Sequence, residues 1–198
     1  MVVIIQKMWR GFSSRRNLMK LKDGMNYSLL NVLLDRYNND YILVDSINKQ
    51  LKKKKIRHTN FPSEISENIA KFAICKKYKV MPTWDTERGD LYIQNPINKQ
   101  IEVKGFMSFG PSSFGPTERW DWIYFVDCIH TLKKNFRVYE IKLSNTDLIW
   151  RSIKVNKTQT YGDQCDEKRR PRIGFHHIQE QIPNQCTLIF EGNISELQ

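Results

Sequence analysis

No stretch of this sequence approaches the roughly 18 consecutive apolar residues that a membrane span requires, and no signal peptide is apparent. Cysteine is scarce. Cys75, Cys128, Cys165 and Cys186 lie far apart, with no Cys-x-x-Cys pair to suggest zinc. Reduced thiols in an intracellular compartment, cytoplasm or nucleus, are therefore expected. Acidic residues are also in short supply, with 21 Asp and Glu against 32 Lys and Arg. The resulting net charge of +11 and pI near 9.5 point to a polyanionic partner, nucleic acid first and an anionic membrane second. The 198 residues are 40% hydrophobic, enough for one globular domain with its own core.

The stretch with chemical potential runs from Gly89 to Lys104. Leu91-Tyr92-Ile93 is short and β-prone, and Asn95-Pro96-Ile97-Asn98 is turn chemistry. Gln100-Ile101-Glu102-Val103-Lys104 alternates with period two. A half-buried strand there puts Gln100, Glu102 and Lys104 on one face, with Ile101 and Val103 on the other. Asp90 can add a second carboxylate if the hairpin brings it close. Asp90 and Glu102 could then hold Mg²⁺, a hard cation that takes oxygen ligands and keeps waters. Lys104 could orient or help deprotonate an attacking water, or steady a phosphate. Together these are the means of phosphodiester hydrolysis.

The trio Asp90, Glu102 and Lys104 resembles the signature of the PD-(D/E)xK nuclease superfamily. Gly89 stands where that signature has proline. Spacing alone is weak evidence, since an acid-x-Lys with an upstream Asp recurs at Asp127, Glu140 and Lys142, and loosely at Asp147, Asp166 and Lys168. The surroundings favour the first copy. Ahead of it, Phe61-Pro62-Ser63 opens a helix with Ser63 as N-cap and Ile65, Ile69, Phe72 and Ala73 as its buried stripe. The resemblance implies a glutamate from such a helix at the metal site, Glu67 before Glu64. The plainer role of both is to favour the helix N-terminus.

After the motif, residues 105–119 (GFMSFGPSSFGPTER) form a Gly-, Pro- and Phe-rich loop. Ser112, Ser113 and Arg119 are its candidate DNA contacts. Trp120–Asp127 and Phe136–Leu143 read as strands. Beyond Asn145 the chain turns basic, and Lys168-Arg169-Arg170-Pro171-Arg172 is its densest cluster. Arginine bridges guanine O6 and N7 bidentately, so Lys168, Arg169, Arg170 and Arg172 are candidate base or phosphate contacts. Ile173–His177 is read as a strand, which would send His176 and His177 to opposite faces.

Upstream, Tyr27–Tyr37 is an expected helix and Asn38-Asn39-Asp40 a turn. Tyr41–Leu51 is undecided between helix and strand. Lys52–Lys55 is a basic run suited to a solvated loop or to phosphate contact. Residues 1–22 form a separate basic, apolar segment. Ile5-Gln6, Arg10-Gly11 and Arg15 fit the calmodulin-binding pattern IQxxxRGxxxR, whose apolar side would enter a partner's groove. An ordinary amphipathic helix docked on residues 23–198 is the alternative. If the calmodulin-like partner is real, the protein works among eukaryotic partners, and a eukaryotic virus fits as well as a cell.

The expected architecture is α/β, a mixed central sheet flanked by helices as in restriction endonucleases. Across residues 62–143 the chain looks most like a small type II restriction endonuclease. That resemblance implies a Mg²⁺-dependent homodimer cutting double-stranded DNA at a short palindrome. Two alternatives are a repair or recombination nuclease that recognises DNA structure, and a non-catalytic module bound to DNA or calmodulin.

Overall fold

The computed structural model describes residues 26–52, 54–84, 89–94 and 96–198. The IQ-like segment lies outside them.

The first helix, α1, spans Tyr27–Gln50 without a break. Asn26 caps it, its side chain accepting from the Leu29 N–H. The turn expected at Asn38–Asp40 is absent, and the undecided segment that follows is helix. Tertiary bonds outweigh the local turn preference of asparagine here. The Asn38 amide donates to the Thr131 carbonyl at 2.8 Å and its oxygen accepts from the Thr131 hydroxyl at 3.1 Å. Helix α2 spans Ser63–Tyr78. Its N-cap is Pro62 rather than Ser63, and no side chain caps it. Proline ahead of the first turn forfeits nothing, because that N–H would be an orphan anyway.

Six strands form the main sheet, in the order β1-β2-β3-β5-β6-β8. They are β1 (Thr83–Trp84), β2 (Leu91–Ile93), β3 (Lys99–Phe106), β5 (Trp122–Asp127), β6 (Asn135–Ile141) and β8 (Cys186–Asn193). Only β3 and β5 run parallel, so the sheet is mixed. The turn from β2 to β3 puts Asn98 at φ 48°, a left-handed conformation that asparagine tolerates. The strand β8 has no counterpart in the sequence reading.

The sheet is covered on both faces. On one side Ile101 and Val103 of β3, Tyr124 and Val126 of β5, and Val138 of β6 pack under α1 and α2. Each fully buried isoleucine there, such as Ile69 of α2, contributes about 1.5–3 kcal/mol. Gly105 lets α2 approach this closely, since a Cβ there would stand 2.6 Å from the Ser66 Cβ. On the other side Ile123 and Phe125 meet a second core built on Phe114, Trp120, Trp150, Tyr161 and Phe175. That core is framed by α3 (Leu148–Arg151), α4 (Tyr161–Asp166), α5 (Phe175–Gln181) and a two-stranded ribbon, β4 (Ser112–Ser113) with β7 (Arg172–Ile173).

The strand expected at Ile173–His177 is thus only the end of β7, and His176 and His177 lie in the first turn of α5. One turn of helix brings both toward Glu180, at 3.1 and 3.6 Å, not to opposite faces. Among the described residues no helix is long and apolar enough to cross a membrane.

Candidate active site

The strand β3 is buried on both faces, not half-buried. Ile101 and Val103 are 0% and 5% exposed, and Glu102 between them is 6% exposed. By alternation Glu102 and Lys104 share the face opposite α2, where their register partners on β5 are Ile123 and Phe125. Asp90 joins them across the hairpin. The ladder between β2 and β3 stops at Leu91, which leaves the next backbone donor of β3 without a strand partner. The Asp90 carboxylate fills that place, its Oδ2 accepting from the Val103 N–H at 2.8 Å, while the Asp90 N–H donates to the Ile101 carbonyl at 3.0 Å.

Lys104 Nζ donates to Glu102 Oε1. A second carboxylate reaches the same ammonium, with Glu118 Oε2 at 3.6 Å. The Lys104 Nζ also sits 5.6 Å from the centre of the Phe114 ring. Sequence reasoning missed Glu118. It lies in the irregular loop after β3, where periodicity carries no information.

Burial is the largest influence on Glu102, and the neighbouring Asp90 charge adds to it. Against these pulls Lys104, and the carboxyl is pushed up to about 7. Burial alone would draw the Lys104 ammonium down, but Glu102, Glu118 and Asp90 together outweigh it and raise it. Two mutually repelling carboxylates, one of them reluctant to ionise, fit a hard divalent cation. Among the described residues no three His, Cys, Asp or Glu groups are arranged to hold a metal. A cation held here would take Asp90 and Glu102 as its protein ligands and complete its shell with water or phosphate.

Glu67 is the glutamate expected from the preceding helix. It is 4% exposed on α2, and α2 covers the face that carries Ile101 and Val103. Glu118 stands beside Lys104. Glu64 lies in the first turn of α2.

The candidate DNA contacts form a second group. Ser113 pairs with Arg172 and Ser112 with Ile173 across the ribbon, and the Phe114 N–H donates to the Pro171 carbonyl at 3.0 Å. The loop after β3 and the basic cluster are thereby joined next to Lys104. Lys168, Arg169, Arg170, Arg172 and Arg119 are all exposed. Arg169 pairs with Glu167 at 3.1 Å. Lys168 takes a left-handed φ of 57°, which turns the chain from α4 into the cluster.

The class is that of an α/β restriction endonuclease with a mixed sheet. The chain belongs to the Bsp6I restriction endonuclease family, whose model matches residues 32–182. It is 32% identical over 137 residues to the type II restriction enzyme Bsp6I of Bacillus sp. (strain RFL6), covering 67% of this chain and 72% of that protein. Its enzyme class is accordingly that of a site-specific deoxyribonuclease. No solved structure matches the chain.

Proposed function

We propose that this protein is a Mg²⁺-dependent endonuclease that hydrolyses double-stranded DNA at a short specific sequence, with Asp90, Glu102 and Lys104 at its centre. The observation that carries this reading is the gathering of the three on one face of β3 and its hairpin, where Asp90 accepts from Val103 and Glu102 from Lys104. Asp90 and Glu102 would hold the cation. When bound it would supply Lewis acidity and a more acidic water. The chain's own part is positional and electrostatic. Backbone bonding fixes Asp90, and burial shields Glu102 from bulk solvent. Lys104 keeps a positive charge where a phosphate would develop negative charge.

The ribbon beside the site would hold the duplex. Ser112, Ser113 and Arg119 suit phosphate contact, while Arg169, Arg170 and Arg172 suit guanine or phosphate. A palindromic site is most simply read by a two-fold symmetric protein, so a homodimer is part of the proposal.

The test is incubation with unmethylated phage DNA and Mg²⁺, followed by sequencing of the fragment ends. Discrete fragments with one shared end sequence, abolished by EDTA, are expected. Cutting confined to branched or damaged substrates would assign the protein to a structure-specific role instead. Binding without any cutting would make it a non-catalytic module.

A further inference from the structure

We infer that Glu118 is a positioning residue that takes over the Lys104 ammonium when Glu102 turns to a cation. The inference rests on the metal-site reading above and names a part that no motif contains.

Glu102 has two competing tasks. Its Oε1 accepts from Lys104, yet the proposed chemistry needs its oxygens for a metal. An ammonium whose partner turned away would be left in a pocket where its side chain is only 18% exposed, a costly position for an unpaired charge. Glu118 is placed to prevent this. Its Oε2 is shielded from solvent and, among the described residues, has no hydrogen-bond partner. Lys104 Nζ lies 3.6 Å away, near enough for attraction and just too far for a hydrogen bond. A small swing of the lysine converts one arrangement into the other.

The loop holds Glu118 there by identifiable means. Asn145 clamps its backbone from both sides, with Nδ2 donating to the Glu118 carbonyl at 2.7 Å and Oδ1 accepting from the Trp120 N–H at 3.4 Å. The side chain folds over Gly115. A Cβ at that position would stand 2.7 Å from Glu118 Oε1 and 2.9 Å from its Cδ. Glycine at 115 thus makes room for the carboxylate, and a methyl group there would evict it.

Two variants separate this role from a structural one. Glu118→Gln keeps the shape and removes the charge. Gly115→Ala keeps the charge and displaces it, at little cost because the obstructing atoms end a flexible side chain. Both should keep the wild-type melting temperature and metal-free DNA affinity. Calorimetry should show Mn²⁺ binding weakened about 10- to 100-fold, the usual effect of losing a supporting partner of a metal ligand. The turnover rate should fall by a similar factor, with the DNA concentration at half-maximal rate unchanged. Wild-type Mn²⁺ affinity and turnover in both variants, alongside a dead Lys104→Ala, would overturn the role of Glu118 and leave the site intact. Full activity in Lys104→Ala and Glu102→Gln would sink the site reading, and this inference with it. A lowered melting temperature with unchanged Mn²⁺ binding would make Glu118 structural and also overturn the inference.

Discussion

Tyr124 and Glu140 stand directly opposite each other on β5 and β6, and the tyrosine hydroxyl donates to Glu140 Oε1 at 2.6 Å. Tyr78 donates to the same oxygen at 2.6 Å, and Lys77 reaches Oε2 at 2.8 Å. The pairing fixes the face. Tyr124 points under α2, away from Ile123 and Phe125, so Glu140 does too, on the side opposite Glu102. Asp127 shares the face of Phe125 and spends its Oδ1 on the Ile129 N–H at 2.9 Å. The second acid-x-Lys copy is therefore split across the sheet, and Glu140 ties α2 to it.

Glu140 should consequently matter for stability. Burial raises its carboxyl, but the bonds from Lys77, Tyr124 and Tyr78 outweigh burial, and the net shift is downward. A lowered folded-state value means the unfolded chain binds the proton more readily. The stabilisation is then fully present above the ordinary carboxylate range near 4.5 and fades as pH falls below it. Glu140→Ala breaks a buried pair by removing one partner and should cost about 3–5 kcal/mol at pH 7. Urea unfolding from pH 7 down to pH 3 should show the gap between wild type and variant narrowing with acid. A gap that widens would refute the assignment.

The two lysines should part company in the same way. Lys104→Ala is expected to abolish cleavage while DNA binding survives, since the ammonium acts at the reacting phosphate more than on overall affinity. Lys142 lies over the Trp122 ring at 4.7 Å, 3.7 Å from Glu140 Oε2 and half-exposed. Lys142→Ala should retain most activity. Circular dichroism must show both variants folded. An active Lys104→Ala beside a folded, dead Lys142→Ala would move the chemistry to the other face.

The hairpin was legible because its signals are local. Period two in Gln100–Lys104 and turn residues at Asn95–Asn98 required no knowledge of the rest of the chain. The long-range features were not. Asn38 reads as a turn residue until Thr131, far along the chain, satisfies its amide. The His176-His177 pair reads as strand until Phe175 docks against Phe125 and Phe106 and makes the segment helical. Alternation did give the face of Glu102, but not its depth, because the second core that covers it is assembled from residues 106–182. Glu118 reaches Lys104 through loop geometry, a relationship with no periodic signature.

Asp90 should be needed for metal and not for folding. Its Oδ2 is engaged with one backbone N–H, so Asp90→Asn can keep that bond while losing the charge that a cation seeks. Calorimetry with Mn²⁺ should show weakened binding in Asp90→Asn and a melting temperature near that of wild type. Wild-type Mn²⁺ affinity would remove Asp90 from the site.

The basic cluster offers a choice between reading and holding DNA. Arg172 is fixed on β7 opposite Ser113, whereas Arg169 is drawn toward Glu167. A residue presented by a paired strand has a defined direction, which base recognition demands and phosphate contact does not. Arg172→Ala should therefore lose about 1–3 kcal/mol against the cognate sequence and relax one position of it. Arg169→Ala should weaken binding evenly across sequences and flatten the salt dependence. Titration of each variant against cognate and singly mismatched duplexes, at two salt concentrations, measures both effects. Equal losses on all duplexes for Arg172→Ala would make it a phosphate contact. Unchanged affinity in both variants would leave the cluster outside the DNA interface.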